Sequence, residues 1–314
     1  MPNCYNPEGM LIQSPQNAEY ISSLKGLTRA MACGAIVEGY VTLCDSNMRL
    51  HVDLGGIEGI VPREESLYSH TDEQIKDIAL ISRVGKPIAF KITSIDTSQA
   101  TPIVTLSRRA AQEECMREYL MGLRCGDIID ARVTHLDAFG AFVDIGCGIV
   151  SLLCVDCLSV SRISHPRDRL TPGAHIRVVV KSIDRERRRF FVSQRELLGT
   201  WEENAALFEA GQTVSGIVRS VESYGVFVEL MPNLAGLAEL REDLISEDMV
   251  GKEATVYIKS IIPERMKVKL VLIDVFDKEK RGDVQKYFIS ESKKHIGRWQ
   301  YSPSACPKVI ETVF

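Results

Sequence analysis

The 314-residue chain has little that would mark it as an enzyme or a membrane protein. No window approaches the run of about 18 uninterrupted apolar residues that a membrane-spanning helix needs. Met1-Pro-Asn-Cys-Tyr-Asn-Pro-Glu8 lacks a basic segment leading into an apolar core, so it does not read as a secretory signal. There is no Gly-Lys-Ser/Thr loop to cradle a phosphate, and no cluster of acids that reads as a metal-ion nuclease site. Positive charge is also short: the net formal charge is −4. The 9 cysteines are an odd number with irregular spacing. Cys33 and Cys44 fall early, Cys147, Cys154 and Cys157 in the middle, and none between Gly211 and Asp274. A disulfide framework would recur with any internal repeat, so reduced thiols and a cytoplasmic location are expected.

What is present is a repeat. Phe139-Gly-Ala-Phe-Val-Asp-Ile-Gly146 is matched by Tyr224-Gly-Val-Phe-Val-Glu-Leu230, and in decayed form by Met48-Arg-Leu-His-Val-Asp-Leu-Gly55. Each follows a glycine and a β-rich run beginning at Gly126, Gly211 and Gly34. With a period of two, Ala141, Val143 and Ile145 share one strand face, and Phe142 and Asp144 share the other. Val226, Val228 and Leu230 oppose Phe227 and Glu229 in the same way; Leu50, Val52 and Leu54 oppose His51 and Asp53. The aliphatic face seeks a core, and the acid is expected to face water. A planar side chain on a solvated face in three repeats points to stacking on flat ligands, nucleic-acid bases above all.

These runs, with Ile183-Asp-Arg-Glu-Arg-Arg-Arg-Phe-Phe-Val-Ser193, resemble the S1 RNA-binding domain. The resemblance covers about Gly34–Arg109, Gly126–Glu196 and Gly211–Asp274 and is most specific in the second stretch. The whole chain resembles the bacterial S1-like ribosomal proteins, shortened to three repeats. It implies a mainly β protein of three tandem five-stranded OB-fold (S1-type) barrels joined by short helical linkers. It also implies single-stranded RNA, in particular mRNA, as partner. In that family the binding face combines two aromatics, a His, an Asp and a basic residue. The matches in the second repeat are Phe139, Phe142, Asp184 and Arg189, with Cys154 where the His would stand. Phe191 alternates onto the face of Arg189 as a further stacking surface. In the third repeat the matches are Tyr224, Phe227 and Lys267, with Glu239 in place of the His and Ile262 in place of the Asp. In the first, Met48 and His51 take the aromatic positions, Pro62 replaces the His, and no Arg follows Asp96. That barrel is expected to bind RNA poorly and to dock on a protein, the small (30S) ribosomal subunit.

Charge is uneven along the chain. Residues 126–198 carry net +2 and residues 275–314 net +3, whereas 30–110 carry −2 and 210–274 carry −3. The second repeat concentrates its cations in Arg185, Arg187, Arg188 and Arg189, next to its aromatic face, which suits phosphate contact. The expected organisation is a partly ordered arm (1–29) with a helical pattern over Ala18–Arg29, then barrel 1 (30–110) and a linker helix (111–125). Barrel 2 (126–198), a shorter linker helix (199–209) and barrel 3 (210–274) follow. An α-rich extension (275–314) ends the chain, helical over Val275–Ser292, with Trp299 packed on the third barrel. Ser107 is placed to cap the first linker helix.

Two rivals are weaker. Cys154-Val-Asp-Cys157, with Cys147 and His165, offers four ligands, but a zinc ribbon needs two such pairs. The cysteines read better as small apolar fillers, so neither a metal nor another cofactor is expected. Subtracting three barrels leaves no room for a catalytic domain, so no enzyme activity, small-molecule substrate or membrane partner is expected. A protein-interaction scaffold on the ribosome or transcription machinery, without strong RNA affinity, is the alternative function.

Overall fold

The computed structural model describes residues 5–69, 75–98, 101–239, 249–277 and 286–314. Three closed five-stranded barrels follow one another. Barrel 1 is built from β1 (Val37–Cys44), β2 (Leu50–Asp53), β3 (Glu58–Val61), β4 (Pro87–Asp96) and β5 (Ile103–Ser107). Barrel 2 uses β6 (Ile128–Asp137), β7 (Gly140–Asp144), β8 (Val150–Cys154), β9 (His175–Asp184) and β10 (Arg189–Ser193). Barrel 3 uses β11 (Thr213–Glu222), β12 (Gly225–Met231), β13 (Leu234–Glu239), β14 (Glu253–Ile262) and β15 (Lys267–Phe276). In each, three strands meander antiparallel, the third pairs in parallel with the fifth, and the fourth closes onto the first.

The aliphatic face of the repeat is the barrel filling, as its alternation predicts. Val133, Ala141, Val143, Ile145, Leu153, Val178, Val180 and Val192 are buried together, and Val218, Val226, Val228, Ala238, Val256 and Leu270 do the same in barrel 3. The glycine inside each aromatic motif has a steric reason. A Cβ on Gly140 would stand 2.6 Å from the Leu153 carbonyl oxygen, and one on Gly225 2.7 Å from that of Ala238. Only glycine lets the neighbouring strand pass there.

The arm is more ordered than its sequence suggested. One helical pattern becomes two helices, α1 (Pro15–Ile21) and α2 (Leu24–Cys33), broken because Ser23 starts a new helix by accepting from Gly26 N at 3.1 Å. Tyr20, Leu27 and Ala30 join the core of barrel 1. The first linker is α4 (Arg108–Glu118), introduced by Ser107, whose hydroxyl accepts from Ala110 N at 2.8 Å; the short α3 (Asp77–Ile81) precedes it in barrel 1. The second linker is shorter than the helix expected over 199–209. Gly199, at φ 84°, breaks the chain, and only α5 (Trp201–Ala205) forms, held by a capping box between Thr200 and Glu203.

The helical reading of the C-terminal extension is wrong where the structure describes it. Val275 and Phe276 finish β15, residues 278–285 lie outside the described residues, and 286–314 hold no helix. The extension is bonded instead to barrel 2 and the second linker. Ile128 N donates to Lys294 O at 2.8 Å, Ile296 N to Gly126 O at 2.8 Å, and Phe288 N to Leu197 O at 2.9 Å. The chain then forms a two-stranded sheet, β16 (Arg298–Gln300) with β17 (Glu311–Val313). Trp299 is buried in the cluster that joins barrel 3 to Trp201 and to Ile128 and Val179 of barrel 2.

Candidate nucleic-acid interface

Strand register defines one row of outward residues around each barrel. In barrel 2 it runs His135, Phe142, Leu152, Phe191, Ser182. The same positions in barrel 3 are Ser220, Phe227, Leu237, Lys269, Ser260. In barrel 1 they are Leu43, His51, Ile60, Thr105, Ser94. Each row begins just after a bulge in the first strand, between Val133 and His135, Val218 and Ser220, and Val41 and Leu43. Strict alternation from Ala131 and Val133 would put His135 inside; the extra residue turns it outward. For this reason sequence periodicity missed His135, which is exposed and stacked on Phe142 with ring centroids 6.2 Å apart and planes 26° apart.

The two predicted aromatics meet in both barrels. Phe139 and Phe142 pack edge to face at 5.8 Å and 89°, Tyr224 and Phe227 at 6.2 Å and 89°. The turn residue of each pair is the open one: Phe139 is 52% exposed and Tyr224 64%. The strand residue is half-buried, with Thr134 Oγ1 donating at 3.0 Å to the Phe142 carbonyl. An edge-to-face pair leaves one ring face open for a third ring. Phe191 lies beyond Leu152 on the same row and is 36% exposed. In barrel 1 the row carries no such platform. His51 is bracketed by carboxylates, Nδ1 at 2.6 Å from Glu58 and Nε2 at 3.3 Å from Asp45.

The acid of the motif faces water as expected in barrel 1, where Asp53 is exposed, but not in barrels 2 and 3. Asp144 is 1% exposed; it accepts from Glu8 N at 2.7 Å, Gly146 N at 2.8 Å and Gly148 N at 3.0 Å. Burial, followed by the charge of Glu8, raises its pKa against the pull of those amides. Glu229 is equally enclosed, accepting from Arg219 Nε at 2.8 Å and Arg169 at 2.5 Å. Both are junction residues: Asp144 ties barrel 2 to the arm, and Glu229 ties barrel 3 to barrel 2. An acid next to a solvated Phe is buried because a neighbouring unit covers it, which the pattern of one strand cannot reveal.

The basic run divides. Arg185 donates to the Met121 and Leu123 carbonyls at 2.7 and 3.2 Å, closing the end of the first linker. Arg188 sits over the ring of Tyr68 in barrel 1 at 6.0 Å and donates to its hydroxyl. Asp184 accepts from Arg187 N at 3.0 Å, fixing the β9–β10 turn. Arg187 and Arg189 are exposed, and their guanidinium groups make no bond among the described residues. In barrel 3, Lys267 is exposed opposite Ile262, and Glu239 lies 3.4 Å from Lys259. Cys154 is half-buried opposite Gly140, and Cys157 is buried with its sulfur 3.2 Å from Lys181 Nζ.

Three barrels of one topology, two of them carrying the same aromatic pair at the same register, define a tandem OB-type array. Residues 31–107 and 123–195 match the family model described as the S1 RNA binding domain, and the chain is a tandem S1-domain protein. It is 30% identical over 250 residues to the small ribosomal subunit protein bS1 homolog of Bacillus subtilis, covering 78% of this chain and 61% of that protein. It is 31% identical over 274 residues to small ribosomal subunit protein bS1 of Staphylococcus aureus, covering 86% of this chain and 66% of that one. For small ribosomal subunit protein bS1 of Leuconostoc lactis the identity is 29% over 246 residues, covering 74% and 55%. The chain therefore spans between 55% and 66% of the length of these curated relatives.

Proposed function

We propose that the chain binds single-stranded RNA, mRNA during translation in particular, in the manner of an S1-like ribosomal protein of the cytoplasm, and that it acts by binding rather than by catalysis. The edge-to-face pair Phe139–Phe142, extended by His135 and Phe191, carries this reading. One stacked base contributes roughly 1–3 kcal/mol. A single platform binds weakly once association costs are subtracted. Barrel 3 repeats the pair at Tyr224 and Phe227, and tethering raises the effective concentration of the second contact. Arg187 and Arg189 at the β9–β10 turn and Lys267 at the start of β15 are exposed and supply the phosphate contacts. Barrel 1, with its row closed by the carboxylates that bracket His51, is read as the unit that meets a protein on the small ribosomal subunit. It exposes Tyr40, Leu43 and Ile78.

The test is fluorescence anisotropy with labelled single-stranded RNA and a matched duplex across a salt series. Preference for the single strand, weakening with salt, is the expected result. Equal affinity for duplex, or no binding at micromolar protein, overturns the reading.

A further inference from the structure

Between barrels 1 and 2 lies a cleft of about 520 Å³, lined by Arg83, Lys86, Arg132, Thr134 and His135 and floored by Glu8 and Asp144. His135 belongs both to this cleft and to the aromatic row, where its ring lies on Phe142. The cleft is thus continuous with the stacking platform. Its two acids are already engaged. Glu8 accepts from Arg108 Nε at 2.7 Å and Nη2 at 3.1 Å, sharing Oε2 between Arg108 and Arg83, and Asp144 is closed off by three backbone N–H groups. The cations are only partly used. Arg132 spends Nη1 on Glu8 O at 2.6 Å and Nε on Gly173 O at 3.3 Å; Arg83 lies 3.4 Å from Glu8; the Lys86 side chain is exposed and its ammonium makes no bond among the described residues. Arg83 and Lys86 come from the turn before β4 of barrel 1, the barrel whose own row holds no aromatic platform.

We propose that this cleft is a phosphate-binding continuation of the RNA track, in which a strand stacked on Phe142 and His135 lays its next phosphodiesters against Arg132, Arg83 and Lys86. Barrel 1 then takes part in RNA binding through its β4 turn and not through its barrel face, and the smallest high-affinity unit is the pair of barrels 1 and 2. The inference rests on the RNA reading above, and it concerns the backbone where that reading concerns the bases. Low-dielectric walls on both sides strengthen the attraction relative to an open surface.

The test is anisotropy of the full chain with a labelled oligouridylate of about 12 nucleotides, a length in the range covered by one or two OB folds, at several salt concentrations. Lys86→Glu, Phe142→Ala and a control, Lys25→Glu on the exposed face of α2, are compared with wild type. Circular dichroism confirms folding, which the Lys86 and Lys25 side chains do not support by any described bond. Lys86→Glu is expected to weaken binding about 3- to 10-fold at low salt and to reduce the salt slope by about 0.7 or more, while Lys25→Glu changes neither. Normal binding and slope for Lys86→Glu, with weakened binding for Phe142→Ala, overturns the cleft and leaves the stacking platform standing. An equal loss for Lys25→Glu also overturns it, since net charge alone would then explain the effect. Loss with Lys86→Glu but not with Phe142→Ala supports the phosphate cleft and removes the stacking reading.

Discussion

Glu8 and Arg108 stand 100 positions apart in the chain and form a two-point ion pair with both side chains buried, at 2.7 and 3.1 Å. The pair joins the arm to the first residue of α4 at the junction of barrels 1 and 2. Arg108 also donates to Ser66 O at 3.1 Å and Gly148 O at 3.4 Å, so one guanidinium gathers three other segments. Burial alone would push the Glu8 pKa up, but the Arg108 guanidinium holds it below the usual carboxylate value. Removing Arg108 leaves the buried Glu8 carboxylate with only the longer contact to Arg83 at 3.4 Å. Arg108→Met should cost about 3–5 kcal/mol of stability, and Glu8→Gln in the same chain should recover part of it. Thermal unfolding of the two variants checks this; a single-variant loss below about 1 kcal/mol would show that the junction does not depend on the pair.

Phe142→Ala should weaken single-stranded RNA binding by about 1–3 kcal/mol, or about 5- to 150-fold, without changing the slope of affinity against salt. The slope counts phosphates, and Phe142 meets none. His135→Ala should fall in the same direction by less, because it removes one ring of the platform and leaves the Phe139–Phe142 pair. A change of slope in Phe142→Ala would mean that the phosphate track is displaced as well.

Much of this site was legible in one strand of sequence. The alternation of Ala141, Val143 and Ile145 against Phe142, together with the aromatic–glycine turn, located the barrel core and the edge-to-face aromatic pair. Three things were not legible, each for a physical reason. The bulge after Val133 moved His135 to the outer face, and a fixed period of two cannot anticipate an inserted residue. Asp144 and Glu229 lost their solvent to the arm and to Arg169, both distant in sequence. The helix expected over Val275–Ser292 gives way to packing, with Phe288 N bonded to Leu197 and the residues that follow bonded to Ile128 and Gly126. Single-strand patterns report the face a residue occupies; what later covers that face depends on long-range packing.

The arginine run should separate by experiment into structural and binding members. Arg185 places two charge-assisted bonds on the last carbonyls of the first linker, so Arg185→Ala should lower the unfolding free energy by about 1–3 kcal/mol and leave the salt slope unchanged. Arg189 makes no such bond, so Arg189→Ala should melt as wild type and reduce the slope by about 0.7, the value for one phosphate on a single strand. Paired melting curves and salt titrations decide the matter. The reverse pattern would move the phosphate contact to Arg185.

Folding should also respond to pH through Glu38. Its carboxylate is fully buried under the arm and accepts from Leu11 N at 2.9 Å and Ile12 N at 3.1 Å. Burial first, and the charge of Glu8 further down, push its pKa up to about 7, while backbone N–H groups pull the other way. Between the ordinary value of 4.5 and about 7, the folded chain therefore holds a proton that the unfolded chain has released. Stability from this group is greatest at the acid end of that window and declines as pH rises through it, by at most about 3 kcal/mol. Asp144 is shifted the same way and adds to the slope. Glu8 is shifted the other way, so its contribution is lost only as pH falls below the ordinary carboxylate value. Glu38→Gln should flatten the dependence between about pH 5 and pH 7.5, leaving the residue due to Asp144, and should make the variant relatively more stable at the alkaline end. Urea unfolding at three pH values measures this directly, and a Glu38→Gln profile parallel to wild type would place the titrating group elsewhere.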